Sequence, residues 1–331
     1  MLAAKRSFKF GEIVYQTPMV VPSFSSRGFD DVAKLIAVAR EYITDEVLIS
    51  AYDIKHAKIQ TKGWTFPTLT FLDSGGYEKG AQTDLSDPRT KIHYPKTWTE
   101  SMHQEVLNSW NFSNPTVIVT YDNPRRPLPL AEQIVRGAAL FDQFPEGCLE
   151  ILLKAETSGR KKPFPAGYLN FDAIEELIPN LEQFQLIGVT EKELGRSLID
   201  RMKGIARLRK ALTSAGFNTP IHVFGSLDLI STPLYFLSGA DIFDGLTWLR
   251  FAYLNGNSIY RHNFSATELG VDILDEAMNL QIHLRNYTEL RSLVASMKRF
   301  LSSKRFDEFG HHNDTLERCV KSLKAELLGG D

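Results

Sequence analysis

The chain has 331 residues, of which 43% are hydrophobic and 24% charged, and its formal net charge at pH 7 is −2. These values are typical of a globular protein and exclude a disordered, fibrous or strongly basic chain, so any nucleic-acid surface has to be a local patch. The two cysteines, Cys148 and Cys319, are too few and too far apart for a zinc cluster or a disulfide framework, which predicts a reducing, cytoplasmic compartment.

Short apolar runs alternate along the chain with segments of helical periodicity, after an opening stretch with hairpin character at 8–16. Eight runs are predicted to be strands: 18–23, 46–50, 68–73, 115–121, 149–154, 184–189, 221–224 and 240–243. The main helices are predicted at 30–42, 98–110, 130–144, 171–178, 196–215 and 227–238. This order predicts one α/β domain over 1–264, a (β/α)8 TIM barrel, with a C-terminal helical extension over 265–331 packed on it.

Polar residues and glycines follow several of the predicted strands, and three strands lead into aspartates: Asp73, Asp122 and Asp244. In an α/β barrel, catalytic residues lie at the carboxyl ends of the strands. Two carboxylates there can share the catalysis of a glycosyl transfer, since one attacks the anomeric carbon while the other moves a proton to and from the leaving group. Metal binding by the three aspartates is the rival chemistry, but no Asp-x-Asp spacing or histidine-rich shell favours it. We therefore expect no metal and no other cofactor.

Two segments of the chain resemble motifs of the queuine/guanine tRNA transglycosylases. Residues 71–78, FLDSGGYE, look like the Asp-Ser-Gly-Gly-aromatic-Gln motif of that family, and residues 239–244, GADIFD, look like its Gly-x-Asp-x-Phe-Asp segment. The resemblance implies that Asp73 transfers the proton and that Asp244 is the nucleophile.

Further strand ends are similar to the segments with which this family binds its base. The resemblance, together with the neighbours of Asp73, implies a base-binding set of Ser74, Gly75, Gly76, Tyr77, Glu78, Asp122, Lys154, Gly188, Val189 and Gly225. Basic residues in rim loops, and an arginine where the family has one after the nucleophile, are expected to contact nucleic acid: Arg125, Arg126, Arg160, Lys161, Lys162 and Arg250.

The departures from the family pattern bear on the substrate. The family's zinc site of three cysteines and a histidine has no counterpart, and Glu78 replaces a glutamine, which changes an amide donor into an acceptor. These departures favour the branch of the superfamily that exchanges guanine in DNA for a 7-deazaguanine such as preQ0. The predicted partners are therefore DNA, with tRNA as the alternative, and a 7-deazaguanine base. Whether the chain acts alone, as a homodimer or with accessory modification proteins stays open.

Other readings of the sequence remain. The chain could be a non-catalytic nucleic-acid-binding subunit that kept the barrel, or a barrel enzyme acting on a small sugar or nucleoside.

Basic clusters within 196–210 and 285–305 are either solvated helix faces or phosphate contacts. His222 is expected to be a core histidine. The polar stretch 80–97 is long enough for a lid or binding loop. The chain has neither a signal-peptide segment near its start nor a window of roughly 18 apolar residues, so we expect no membrane partner.

Overall fold

A computed structural model of the chain describes residues 2–29, 31–61, 63–64, 66–80, 93–122, 128–145, 147–156 and 167–328. After a hairpin of β1 (Ser7–Phe10) and β2 (Ile13–Gln16), the strands are β3 (Met19–Phe24), β4 (Glu46–Ser50), β5 (Leu69–Asp73), β6 (Thr116–Val119), β7 (Cys148–Leu153), β8 (Leu186–Thr190), β9 (Ile221–Phe224) and β10 (Ile242–Gly245). The last eight form a closed parallel barrel in the order β10-β3-β4-β5-β6-β7-β8-β9. With its surrounding and C-terminal helices, this fold confirms the predicted TIM barrel.

The barrel strands are apolar along most of their length because both of their faces are covered. In β3, β4, β5, β6 and β7, every residue is buried. The parallel register pairs Ser50 with Asp73 and Leu72 with Ile118. The ends of β4 and β5 are therefore level, and Asp73 is the last residue of its strand. Asp244 lies inside β10, which begins and ends two residues later than predicted.

Helices follow the barrel strands at α1 (Val32–Ala39), α2 (Ala51–Lys55), α3 (Glu100–Ser109), α4 (Leu130–Gln143), α5 (Phe171–Leu177), α6 (Leu198–Ser214) and α7 (Ser231–Leu237). Helix α6 shows why the sequence predicts them well. A capping box starts it, with the Asp200 amide donating to Ser197 Oγ and the Ser197 amide donating to the Asp200 carboxylate, both at 3.2 Å. Gly216, whose φ is +83°, follows its last turn in the left-handed conformation that favours glycine.

A hairpin that the sequence analysis missed follows the short helix α8 (Thr247–Arg250). Its antiparallel strands are β11 (Ala252–Leu254) and β12 (Asn257–Ile259). Asn255 and Gly256 join them with φ angles of +51° and +76°. Asn-Gly is the preferred pair for a two-residue turn in which both residues have positive φ, so a local signal for this hairpin was present.

The C-terminal helices begin with α9 (Arg261–Phe264) and a π-helical turn at Ser265–Leu269, and continue with α10 (Asp275–Ser303), a 3-10 segment at Phe306–His312 and α11 (Asn313–Leu328). Helix α11 packs against α6 and α7, while α10 packs against α7 and α8. A small core of Ala252, Phe264, Met278 and Ile282 joins β11, α9 and α10. The extension is therefore anchored by apolar contacts.

Contacts between residues divide the chain into two compact units. The C-terminal unit comprises 1–7, 16–22 and 189–331, and the N-terminal unit comprises 8–15 and 23–188. Asp244 belongs to the C-terminal unit and Asp73 to the N-terminal unit.

A buried ion-pair network holds the C-terminal unit together around Asp241, whose side chain is fully buried. Arg6 Nη1 donates to Asp241 Oδ1 at 2.9 Å, and Arg209 Nη2 donates to Oδ2 at 2.7 Å. The Ile221 amide also donates to Oδ2, at 2.8 Å. Burial lowers the pKa of Arg209 to about 10 against the opposing effect of Asp241, which leaves the guanidinium charged at neutral pH. One carboxylate thus joins the N-terminal segment, α6, β9 and β10.

Replacing Asp241 by asparagine is expected to lower the free energy of unfolding by about 3–5 kcal/mol, because two buried guanidinium groups lose their counter-charge. Urea or guanidinium denaturation measures the change. The control is Glu326→Ala, which removes an exposed partner of Lys203 at 2.9 Å and is expected to cost less than about 1 kcal/mol. A loss in Asp241→Asn no larger than that of the control would contradict this role.

Candidate active site

In the N-terminal unit, Asp73 is 8% exposed and is followed by a tight turn. The Gly75 amide donates to Asp73 Oδ2 at 3.1 Å, and Gly75 has a φ of +84°. A Cβ at Gly75 would lie 2.7 Å from Tyr52 Cβ and 2.9 Å from Trp98 Nε1, so no larger residue fits. Trp98 Nε1 also donates to the Ser74 carbonyl at 2.9 Å. Packing against two aromatic side chains therefore fixes the turn that carries Asp73.

The second glycine of the turn accommodates another carboxylate. A Cβ at Gly76 would lie 2.2 Å from Asp122 Oδ2, closer than any real contact. Ser74 Oγ donates to the other oxygen of Asp122, Oδ1, at 2.5 Å. Asp122, Ser74 and Gly76, all predicted base-binding residues, are therefore in direct contact, and the Asp122 carboxylate covers the Gly76 backbone.

Glu78 is 2% exposed and is held by two hydroxyl groups. Ser25 Oγ donates to Oε1 at 2.5 Å, and Ser50 Oγ donates to Oε2 at 2.7 Å. Burial raises the pKa of Glu78, although the two serine hydrogen bonds oppose the shift. The neighbouring Tyr77 has the Arg27 guanidinium 4.3 Å from its ring centroid, and Arg27 Nη1 also donates to the Tyr77 carbonyl at 2.7 Å.

A second buried acid, Asp53, lies close enough to Glu78 to feel its charge. The Ser26 amide donates to Asp53 Oδ2 at 2.7 Å, and the Ser26 hydroxyl donates to Oδ1. Burial, with the charge of Glu78 as the next cause, raises the pKa of Asp53 to about 8. Sequence reasoning gave Asp53 no role, since nothing in its neighbourhood along the chain indicates that the fold brings it close to Glu78.

Asp122 and one more predicted base-binding residue, Lys154, line a cavity of about 120 Å³ in the N-terminal unit, beside helices α3 and α4. His103 lines it as well; its Nε2 atom is buried without a hydrogen-bond partner, and burial lowers its pKa to about 4. Gln133 fixes the backbone of Lys154, donating to its carbonyl at 2.9 Å and accepting from its amide at 2.8 Å. The walls of this cavity carry carboxylate, ammonium, amide and imidazole groups.

In the C-terminal unit, Asp244 is 5% exposed and is held by the segment that follows β9. The Gly225 amide donates to Asp244 Oδ1 at 3.0 Å, and the Ser226 amide donates to the Asp244 carbonyl at 2.7 Å. Gly225 has a φ of +80°, and a Cβ there would meet nothing within 4 Å. His222 Nε2 lies 3.4 Å from Asp244 Oδ1. Sequence reasoning missed this neighbour, because the strand register that creates it is not visible in the sequence.

Of the remaining predicted site residues, three are described by the structure and five lie outside the described residues. Gly188 and Val189 are buried within β8, and Arg250 ends α8 in a half-buried position. The loop residues Arg125, Arg126, Arg160, Lys161 and Lys162 lie outside the described residues, as does 81–92 of the predicted binding loop.

Many side chains of the two basic clusters are paired with acids. Arg201 meets Glu191 at 3.0 Å, Lys203 meets Glu326, and Arg209 is buried against Asp241. In the second cluster, the pairs are Arg285 with Glu268, Arg299 with Glu308 and Arg305 with Asp307. These pairings weaken the case for either cluster as a phosphate-binding surface.

Fold and site together define a parallel α/β barrel in which β5 and β10 each carry a buried aspartate that accepts a hydrogen bond from a glycine amide. Within the described ranges, no three His, Cys, Asp or Glu side chains are grouped closely enough to hold a metal ion. None of the helices in this part of the chain has the length and apolar character to cross a membrane. No protein-family model matches the chain, and no curated protein matches it in sequence. The likeness to the transglycosylases thus stays a prediction from its motifs.

The Asp53 pKa leads to a pH-dependent stability. Because the folded-state pKa of Asp53, about 8, exceeds its ordinary value of 3.8, the folded protein keeps a proton that the unfolded chain has released between these pH values. Stability is therefore expected to fall as pH rises from about 4 to about 8, and Asp53→Asn is expected to remove part of this slope. Denaturation at several pH values measures it, with Glu182→Gln, an exposed acid of the same unit, as the control. Parallel curves for wild type and Asp53→Asn would contradict the prediction.

Gly76→Ala is expected to destabilise the protein by about 1–3 kcal/mol, because the new methyl group overlaps the Asp122 carboxylate. The double variant Gly76→Ala/Asp122→Ala removes the overlapping group, so Gly76→Ala is expected to cost clearly less in the Asp122→Ala background. Denaturation of all four proteins completes the double-mutant cycle. Equal costs in the two backgrounds would show that Asp122 is not what excludes a side chain at position 76.

Proposed function

We propose that this chain exchanges guanine in DNA for a 7-deazaguanine base through a covalent glycosyl-aspartate intermediate. The observation that carries the proposal is the pair of buried aspartates, Asp73 and Asp244, each on a strand of one parallel barrel and each accepting a glycine amide hydrogen bond. Catalytic side chains of such barrels come from the carboxyl ends of different strands. The likeness of residues 71–78 and 239–244 to the transglycosylase motifs supports the same roles.

The proposed reaction has two steps. Asp244 attacks C1′ of the target nucleotide, the glycosidic bond breaks, and guanine leaves with the bonding electron pair and takes a proton from Asp73. The incoming 7-deazaguanine returns a proton to Asp73 and attacks C1′, which breaks the ester bond to Asp244. Covalent catalysis thus replaces one difficult displacement by two easier ones. The nucleotide has to leave the base stack to reach either carboxylate.

DNA is the preferred polymer because the chain has only two cysteines and cannot form the three-cysteine zinc site of the tRNA-modifying relatives that it resembles. The contacts of Asp122 with Ser74 and Gly76 support a polar pocket for a base beside Asp73. Lys154, which lines the same cavity as Asp122, adds a donor for a base carbonyl oxygen.

The decisive experiment incubates the protein with radiolabelled guanine, or a radiolabelled 7-deazaguanine, and either duplex DNA or tRNA. Wild type is expected to label DNA, whereas Asp244→Ala and Asp244→Asn are expected to lose exchange and the covalent adduct. Asp272→Asn, an exposed acid of the same unit, is the control and should keep the wild-type rate. Full exchange by either Asp244 variant would overturn the nucleophile. Labelling of tRNA alone would overturn DNA as the substrate, and no labelling with an absent adduct would favour a non-catalytic role.

A further inference from the structure

The proposed nucleophile has a buried histidine beside it that the two-step reaction does not use. His222 lies on β9, in register with Ile242 of β10, and Asp244 is two residues further along β10 on the same face. The His222 side chain is fully buried, and its Nε2 atom is 3.4 Å from Asp244 Oδ1, an ion-pair distance that does not meet hydrogen-bond geometry in this structure. The ring is stacked on Phe224, with centroids 4.0 Å apart and an interplanar angle of 27°. Stacking and complete burial restrict rotation of the imidazole, so Nε2 stays close to the carboxylate oxygen.

His222 approaches the same carboxylate oxygen as the Gly225 amide, which donates to Asp244 Oδ1 at 3.0 Å. Where an imidazole nitrogen faces a carboxylate oxygen, the tautomer with a hydrogen on that nitrogen is favoured, because the lone pairs of a bare nitrogen and the oxygen would repel each other. The arrangement therefore predicts the Nε2–H tautomer of His222. A small shift of the side chains on substrate binding would then bring this N–H group into hydrogen-bond geometry with the oxygen that already accepts from the Gly225 amide.

We propose that His222 is a positioning residue that donates to Oδ1 of Asp244 in the substrate complex, together with the Gly225 amide, so that Oδ2 is the oxygen that attacks C1′. The inference rests on the proposed function. As the Oδ2–C1′ bond forms and the bond to guanine breaks, Oδ1 becomes the carbonyl oxygen of the ester and keeps both donors. His222 neither gains nor loses a proton in the step. Donors fixed in this way need no reorganisation during the reaction, which is the main source of electrostatic catalysis.

The test compares His222→Phe, which keeps a flat ring but removes the donor, with His222→Gln, whose amide can still donate. The measurement is single-turnover guanine release and adduct formation on guanine-containing duplex DNA across a range of pH. His222→Phe is expected to slow the reaction by about 100-fold, as is typical for the loss of one fixed donor, whereas His222→Gln should stay within about 10-fold of wild type. Rescue of the rate by His222→Gln separates a role as donor from a merely structural role, in which both substitutions would act alike.

The matched control is His283→Phe, which replaces another buried histidine of the same unit; its ring is 5.8 Å from Trp248. This variant is expected to keep the wild-type single-turnover rate even where its stability falls. A merely structural role for His222 would lower the stability of both His222 variants without rescue of the rate by His222→Gln. Circular dichroism verifies the fold of each variant.

A second readout is independent of activity. In protein with ¹⁵N-labelled histidine, the His222 signals, assigned by their loss in His222→Gln, are expected to show the Nε2–H tautomer and to shift in Asp244→Asn. The Nδ1–H tautomer, or a His222→Phe variant with the wild-type rate, would overturn the inference and leave the proposed function intact. Absence of adduct in wild type with both DNA and tRNA would overturn the proposed function, and this inference would fall with it.

Discussion

The C-terminal unit depends on a single carboxylate that forms ion pairs with two buried guanidinium groups. Asp241 begins the short stretch that leads to Asp244, and its oxygens accept from Arg6, Arg209 and the Ile221 amide. A buried charge is tolerated only when it is paired and hydrogen-bonded, so β10 cannot shift without leaving both arginines uncompensated. Gly239 belongs to the same arrangement, because a Cβ there would lie 2.7 Å from Arg209 Cγ. The position of the candidate nucleophile is therefore set by a neighbour with no part in the chemistry.

The N-terminal unit uses hydroxyl groups where the other unit uses guanidinium groups. Ser25 and Ser50 hold Glu78, Ser26 holds Asp53, and Ser74 holds Asp122. Hydroxyl donors satisfy buried carboxyl groups without adding positive charge, which is why burial still raises the pKa of Glu78 and Asp53. Glu78, the residue that departs from the transglycosylase motif, is thus one of two neighbouring buried acids. The serines that bind these two acids follow or end the strands β3 and β4.

Charge distribution bears on how a polyanion would bind. Helix α6 looks basic in sequence, yet the fold pairs Arg201 and Lys203 with acids and buries Arg209. Exposed ion pairs contribute little to stability, but they lower the local positive potential that attracts phosphates. The proposed function therefore assigns nucleic-acid contacts to Arg250 and to the basic residues predicted from the sequence, rather than to these helices.

Local patterns in the sequence determined the elements of this protein, and long-range contacts decided its site. Alternating apolar runs predicted the barrel, and Gly216 predicted the end of α6, because such signals act within a few residues. The Ser197 capping box, which starts α6, is also local. The Asn255-Gly256 turn was equally local and was overlooked. By contrast, the Arg6–Asp241 bond spans 235 residues, the Ser25–Glu78 bond spans 53, and the approach of His222 to Asp244 depends on strand register. Such contacts arise only when separate elements pack, because no periodicity along the chain records which side chains will meet.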